Sequence, residues 1–322
     1  MLNLGCYITF TTPDGKSYLE FTSVNAVEIE STWRKLTSTC KITLPRRIRV
    51  LNGDINDIIK RGSKVMVWLG YDGDLSLEFV GYVARMDAKV PFVVECEDEM
   101  WPLKQNTISK TYRSVTIKQL VADIYPGKSE VTDFNIGAFR IDRASTSVVL
   151  DNLQKNYNVY SYFTFNATGE PTLHVTLGGY DITKLGTRHI FNLRVNVVDN
   201  DLVFRRSEEN KMRVVATSTN KGGVVIKTEL GDPEGEEIKI DKRGMKKADL
   251  DLLALSELRK RKFDGYKGSI TGFGEPRCRH NDVAIIQSPE YPERDGAYMI
   301  DGIKITFGES GYRRQAELGI KV

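Results

Sequence analysis

The hydrophobic pattern of the first hundred residues has a period of two. Residues 7–11 and 17–21 flank Pro13-Asp14-Gly15, where proline presets φ and glycine accepts a positive φ, so a tight hairpin is expected there. After Trp33, the small or apolar residues Leu36, Ser38, Cys40, Ile42 and Leu44 alternate with Thr37, Thr39, Lys41 and Thr43, which predicts a half-buried strand. Residues 64–69 and 77–84 are separated by the turn signal Tyr71-Asp72-Gly73-Asp74, and 92–96 supplies a further strand. Helix is expected here only as a turn over 55–60. Short strands punctuated by turns predict an antiparallel sandwich or barrel.

From about residue 108 the spacing becomes helical. Ser114 can cap a helix whose apolar positions Ile117, Leu120, Val121 and Ile124 recur at three and four, until Pro126-Gly127 stops it. A second helix over 145–156 uses Val148, Val149, Leu150 and Leu153, and leads into strands at 159–165 and 172–177 around a Thr168-Gly169 turn. Strand character returns at 190–197, 202–206 and 212–240, and again at 282–287, 297–301 and 303–307. One long helix, 246–263, interrupts it. Asp249 and Asp251 lie near its start and Arg259, Lys260, Arg261 and Lys262 in its last turns, matching the helix dipole. Ala248, Leu252, Leu255 and Leu258 are its expected apolar face.

A weak repeat runs through this pattern. Lys64-Val65-Met66-Val67, Gly81-Tyr82-Val83 and the strand at Phe92 compare with Asp282-Val283-Ala284-Ile285, Gly296-Ala297-Tyr298-Met299 and the strand near Gln315. Duplication would imply two similar β domains. The expected fold is mainly β (α+β): a first antiparallel barrel over 1–107, which strands in 181–207 could complete, a small α+β insert over 108–180, and a second barrel over 208–322 containing the long helix.

Composition narrows the function classes. With 322 residues, 40% hydrophobic and 28% charged, the chain is an ordinary globular one with room for two or three domains. Its 46 Lys+Arg against 43 Asp+Glu give no general drive toward nucleic acid. Cys6, Cys40, Cys96 and Cys278 form no CxxC pair and have no histidine at ligand spacing, so reduced structural thiols are expected rather than a zinc site or disulfides. Leu4-Gly5-Cys6 looks like the end of a lipoprotein cleavage site, but no basic segment and apolar run precede it. No apolar run approaches the roughly 18 to 20 residues that cross a bilayer, so no stable membrane insertion is expected.

The candidate chemistry is thin. His174, His189 and His280 are far apart and read as structural. Gly272-Phe273-Gly274 lacks the third glycine of a dinucleotide fingerprint, and Gly308-Glu309-Ser310-Gly311 is not a nucleophile elbow; both read as turns. Asp72, Asp74, Ser76 and Glu78 alternate as oxygen ligands but lack the glycine and terminal glutamate of a calcium loop. Glu95, Glu97, Asp98 and Glu99 could pair as glycosidase carboxylates, yet strand neighbours face opposite sides and a solvated edge is expected. The basic cluster at 259–262 suits a helix C-terminus without any phosphate partner. No catalytic, cofactor or metal residue is assigned, and no cofactor is expected.

Three stretches carry a family resemblance. They are 54–98, with Arg61-Gly62-Ser63-Lys64-Val65, Leu69-Gly70-Tyr71-Asp72-Gly73 and Phe79-Val80-Gly81-Tyr82-Val83; 114–160, with 141–145 before the second helix; and 268–322, with Gly272-Phe273-Gly274-Glu275-Pro276, Tyr291-Pro292 and Gly311-Tyr312-Arg313-Arg314. Together they resemble the phage tail hub family, late control protein D-like, which includes contractile-tail baseplate hubs and the hub portion of type VI secretion spikes. The resemblance implies two barrels similar to tail-tube subunits and a non-enzymatic role. It also implies a homotrimeric symmetry adapter in the virion baseplate, assembled in the host cytoplasm, that joins a sixfold tail tube to a threefold central spike, with tape measure and wedge proteins as further partners. Binding would use broad surfaces. The chain ends at Val322, so the resemblance implies a spike on a separate chain. Two other classes stay open: a tail-associated or secreted cell-wall-degrading enzyme, and a receptor- or carbohydrate-binding β protein. The latter predicts aromatics exposed in a groove, whereas Trp33, Trp68 and Trp101 fall near apolar strand positions.

Overall fold

A computed structural model describes residues 3–45, 59–87, 91–178, 185–220 and 222–322. The first β region contains β1 (Leu4–Thr11), β2 (Tyr18–Phe21), β3 (Ala26–Thr32), β4 (Thr39–Leu44), β5 (Lys64–Tyr71), β6 (Asp74–Asp87) and β7 (Phe92–Glu97). Period-two burial organises them: Cys6, Ile8 and Phe10 of β1 and Val27 and Ile29 of β3 enter the core while their neighbours stay more exposed. The hairpin at Pro13-Asp14-Gly15 forms, pairing Ile8 with Phe21 and Thr11 with Tyr18, with Gly15 at φ 71°. The strand expected after Trp33 begins later, at Thr39, because residues 33–38 turn and the Ser38 N–H is taken by Asp98 Oδ2 at 2.8 Å. Most of the helical turn expected over 55–60 lies outside the described residues.

The middle segment comprises α1 (Met100–Leu103), β8 (Ile108–Thr116), α2 (Ile117–Ile124), β9 (Ser129–Val131), β10 (Asn135–Ala144), α3 (Thr146–Tyr157), β11 (Val159–Phe165) and β12 (Pro171–Leu177). The cap of α2 is Thr116, not Ser114. Thr116 Oγ1 accepts from the Gln119 N–H and the Gln119 side chain returns to the Thr116 N–H, a reciprocal box that Ser114, still within β8, cannot make. The helix expected over 145–156 forms as α3, with Ser145 as its cap. Leu120, Val121, Leu150 and Leu153 of the two helices pack with Phe163 and Leu173 of the hairpin in a core of their own.

The remainder contains β13 (Arg188–Asn192), β14 (Val197–Asn200), β15 (Val203–Arg205), β16 (Met212–Thr219), β17 (Val225–Gly231), β18 (Glu236–Arg243), α4 (Lys247–Arg261), β19 (Gly265–Phe273), β20 (Val283–Gln287), β21 (Gly296–Gly308) and β22 (Gly311–Lys321). A three-stranded sheet, β17-β16-β18, supports α4 over a small core of Val214, Ala216, Leu250 and Ala254. The buried face of α4 is rotated from the expected one: Leu250, Leu253 and Ala254 are covered, whereas Leu252 is 60% exposed. Leucines at 250, 252, 253, 255 and 258 wrap the helix, so spacing alone does not select a face.

All the other strands of this last segment join the first β region. Pairing runs β14-β19-β22-β21-β3-β4-β7-β6-β5-β1-β2, with β13 attached through β20. The seam is β21 against β3, from Gly302 opposite Thr32 to Gly308 opposite Ala26. Side chains from both sides, among them Ile8, Ile42, Val67, Tyr298, Ile300 and Tyr312, share one core. The chain is mainly β, as expected. Among the described residues no closed barrel forms, because β3 and β21 spend their edges on each other and continue one sheet. Within each half the compared strands pair in the same antiparallel order, β5-β6-β7 and β20-β21-β22. No described helix is long and apolar enough to cross a membrane.

Candidate functional site

Four residues of the motifs quoted above, Tyr71, Gly274, Tyr312 and Arg314, meet Glu78 in one buried cluster. Arg314 of β22 pairs with Glu78 of β6 at 2.6 Å, and both side chains are almost fully enclosed. Arg314 also donates to the carbonyls of Gly274 and Cys278, each at 2.9 Å, and Tyr312 Oη donates to Glu78 Oε1 at 2.8 Å. Burial is the largest single influence and works against the guanidinium charge, but Glu78, Tyr312 and Cys278 together outweigh it and hold Arg314 above its ordinary range. Tyr71 Oη accepts from the Gly274 N–H and donates to the Tyr312 carbonyl. A β-carbon on Gly274 would lie 2.1 Å from the Tyr312 ring, so only glycine allows this approach. The loop read from sequence as a turn is therefore clamped to the sheet by buried charge, and Glu78 is committed there. Of the other suggested calcium ligands, Asp72 accepts from the Asn3 N–H and Asp74 lies 3.7 Å from Arg277. Among the described residues no group of three His, Cys, Asp or Glu could hold a metal.

A second cluster joins the sheet to the middle segment. His280 Nδ1 lies 2.9 Å from Ser31 Oγ, which lies 3.0 Å from Ser38 Oγ. Ser31 sits on β3, a strand that sequence reading passed over although Val27 and Ile29 alternate with Glu28 and Glu30. Burial pulls the His280 imidazole down to about 4, and its Nε2 has no hydrogen-bond partner among the described residues. A serine beside a histidine suggests nucleophilic chemistry, but a base of that pKa is mismatched to neutral pH. The adjoining cavities, about 30 and 40 Å³, are far below the size that admits a peptide or sugar. Close by, Arg279 donates to the Phe165 and Leu77 carbonyls and stacks on the Phe165 ring, tying the β11–β12 hairpin to β6.

The acidic run is not brought together as a catalytic pair. Glu97 binds Lys104 at 2.7 Å and Glu99 accepts from Tyr82 Oη. Asp98 departs from the solvated edge expected: it is buried, accepting from the Ser38 and Met100 N–H groups as the chain turns from β7 into α1. Burial pushes its carboxyl up to about 7 despite those donors. His189 binds Asp282 at 3.1 Å and His174 contacts Thr164 Oγ1 at 2.8 Å. At the end of α4, Arg261 pairs with Glu257 and Lys262 with Asp232. Trp33 is buried and donates to Asp301, while Trp68 and Trp101 pack on Tyr7 and Tyr82. All four cysteines are buried and free.

What remains open is surface. β2 and β14 end the large sheet and leave backbone edges unpaired among the described residues. Beside the β14 end, Ile190, Val195, Val198 and Val203 are 49–78% exposed within fourteen residues of chain. Apolar β-branched side chains next to a free edge make a surface suited to pairing with another chain.

No family model matches the sequence, and no curated protein is similar to it in sequence. Solved structures are similar in fold. The tail protein from Neisseria meningitidis MC58 aligns over 98% of this chain and 96% of its own, with a TM-score of 0.67 and 15% identity. The 43 kDa tail protein of prophage MuSo2 from Shewanella oneidensis aligns over 98% and 97%, with a TM-score of 0.62 and 15% identity. The E. coli c3393 protein, a type VI secretion component structurally similar to the T4 tail proteins gp27 and gp5, aligns over 93% and 74%, with a TM-score of 0.62 and 9% identity. The chain has the fold of these tail proteins.

Proposed function

We propose that this chain is a structural baseplate hub of a phage or phage-like tail, not an enzyme, and that it works as a homotrimer joining a sixfold tail tube to a threefold spike around a channel. The observation that carries the reading is the match of nearly the whole chain to nearly the whole length of two tail proteins. The likeness of β5-β6-β7 to β20-β21-β22 supports two similar β units per chain, so three chains would present six to the tube. In this reading 1–107 and the strands after 181 build those units, while the segment 108–180 and the β16–β18 sheet with α4 are attachments to them. Tape measure and wedge proteins would be neighbours in the baseplate, reached after assembly in the host cytoplasm.

The exposed Ile190, Val195, Val198 and Val203 favour assembly, since a stable interface needs a core of apolar contacts over roughly 1,200–2,000 Å². Light scattering of the purified chain, alone and mixed with a tail-spike protein, tests the reading. A mass three times the 36.4 kDa of one chain is expected. A monomer that ignores the spike at every concentration overturns it.

A further inference from the structure

Where the large sheet, the middle segment and the β16–β18 unit meet, they enclose a cleft of about 620 Å³. Six cationic side chains line it: Arg34, Lys155, Lys239, Lys242, Arg261 and Lys267. Against them stand two carboxylates, Asp301 and Glu257, both buried and both already engaged. Asp301 holds Arg34 and the Trp33 indole N–H, and Glu257 holds Arg261 and the Asn158 amide. The other four cations make no ion pair with a carboxylate of the cleft among the described residues, although Glu257 acts on Lys242 through space. Lys155 and Lys239 reach outward to Asp151 and Glu237, Lys242 donates to the Asn156 carbonyl, and Lys267 is exposed and makes no ion pair among the described residues. Tyr160, Leu253 and Phe263 give the walls apolar surface.

The cleft also contains a free strand edge. In the order β17-β16-β18 the outer side of β18 has no strand partner among the described residues. Ile238, Lys239 and Ile240 all line the cavity, although successive side chains of a strand point to opposite faces. Both parities reach one cavity when the strand meets it edge-on. A basic lining, apolar walls and an unpaired edge suit a ligand that is extended, bears carboxylates and has backbone groups to offer.

We infer that this cleft is a docking site for an extended acidic peptide segment of another protein, which adds as a strand to β18 and sets its carboxylates against Lys239, Lys242 and Lys267. Nucleic acid fits less well, because the floor carries Asp301 and Glu257 and the strand edge offers a phosphate chain no ladder. The inference rests on the cleft alone and does not depend on the chain forming a trimer.

The test is fluorescence anisotropy of the full chain with a labelled heptapeptide of alternating valine and glutamate, beside its valine–lysine counterpart. Saturable binding of the acidic peptide only is expected, with slowed amide exchange over residues 236–243. Lys242→Glu combined with Lys267→Glu should weaken it about tenfold or more, as reversal of partly desolvated interface charges does. Lys267→Glu alone, at an exposed position, should weaken it several-fold without altering the melting temperature. The proposal is overturned by no saturation up to about 1 mM peptide, by equal binding of the two peptides, or by affinity unchanged in the Lys267→Glu variant. Competition by a single-stranded oligonucleotide of equal charge, as effective as unlabelled acidic peptide, would assign the cleft to nucleic acid instead.

Discussion

Replacing Glu78 by leucine should be among the most damaging single changes in this chain. The Glu78 and Arg314 side chains are 4% and 2% exposed, so water neither screens their attraction nor rescues a stranded partner. Leucine removes the acceptor for the Arg314 Nη2 and Tyr312 Oη donors at once, leaving a desolvated guanidinium with only the Gly274 and Cys278 carbonyls and the tyrosine oxygen. Breaking a buried pair from one side costs about 3–5 kcal/mol. Glu78→Gln keeps an acceptor in place and removes only the counter-charge, so it should cost less, about 2 kcal/mol, nearer the value of one charged hydrogen bond. Arg314→Met strands the glutamate and abandons two loop carbonyls. Joined with Glu78→Leu it should cost less than the two singles added, by about 2–3 kcal/mol of coupling. Urea unfolding followed by tryptophan fluorescence measures all four variants against the parent. A Glu78→Leu cost below about 1 kcal/mol, or singles that simply add, would show that the pair does not clamp the loop.

Gly274→Ala should lower stability by about 3 kcal/mol, because its β-carbon meets the fully buried Tyr312 ring. Gly15→Ala, with open space and only a positive φ to strain, should cost about 1 kcal/mol in the same melting experiment. Thr116→Ala should destabilise the middle segment by about 1 kcal/mol by removing the cap of α2, while Ser114→Ala should be near neutral; amide exchange in 117–124 separates the two. Two buried groups oppose each other in pH dependence. Asp98, raised to about 7, binds a proton in the folded state that the unfolded chain releases, so its contribution is present below about pH 4 and lost as pH rises through 7. His280, held at about 4, is neutral where the unfolded histidine is charged, so its contribution is present above about pH 6.5 and lost as pH falls through 4. Asp98→Asn should therefore make stability rise more steeply with pH across that window and His280→Asn less steeply; urea midpoints whose pH slopes match the parent's would refute both assignments.

The sequence shows local structure better than partnership. The period of two at residues 7–11 and 64–69 reports which side of a strand is buried, and those strands form where the alternation places them, whereas the alternation over 36–44 becomes a strand only from Thr39. The helices at 117–124 and 146–157 were equally legible, since a cap and apolar positions at three and four suffice. β3 is hard to see in the sequence because it buries only Val27 and Ile29 among acidic neighbours, and β19 because glycine and serine dilute its pattern. Helix α4 was found but turned the wrong way, since its leucines satisfy two stripes. Glu78 follows two aspartates at alternating positions and so has the look of a surface ligand; nothing local says that its partner lies 236 residues away.

That limit explains the largest departure, one continued sheet in place of two barrels. Alternation fixes the inward face of β3 and of β21, but an edge carries no sequence mark of its own: its donors and acceptors are backbone groups, the same at every residue. What selects the pairing of residues 26–32 with 302–308 is the packing that accompanies it. Gly302 and Gly308 admit the close approach of Thr32 and Ala26, and Trp33 and Arg34, just beyond β3, close on Asp301 from below. Each contact looks unremarkable alone. Together they satisfy a carboxylate that is otherwise wholly buried and whose pKa burial raises to about 6. The seam is held by the same device as the Gly274 loop: a buried charge whose partners come from the far end of the chain. Between the two halves of this sheet, such charges do what added apolar area cannot. A greasy interface tolerates sliding, whereas a buried ion with one set of donors permits one register.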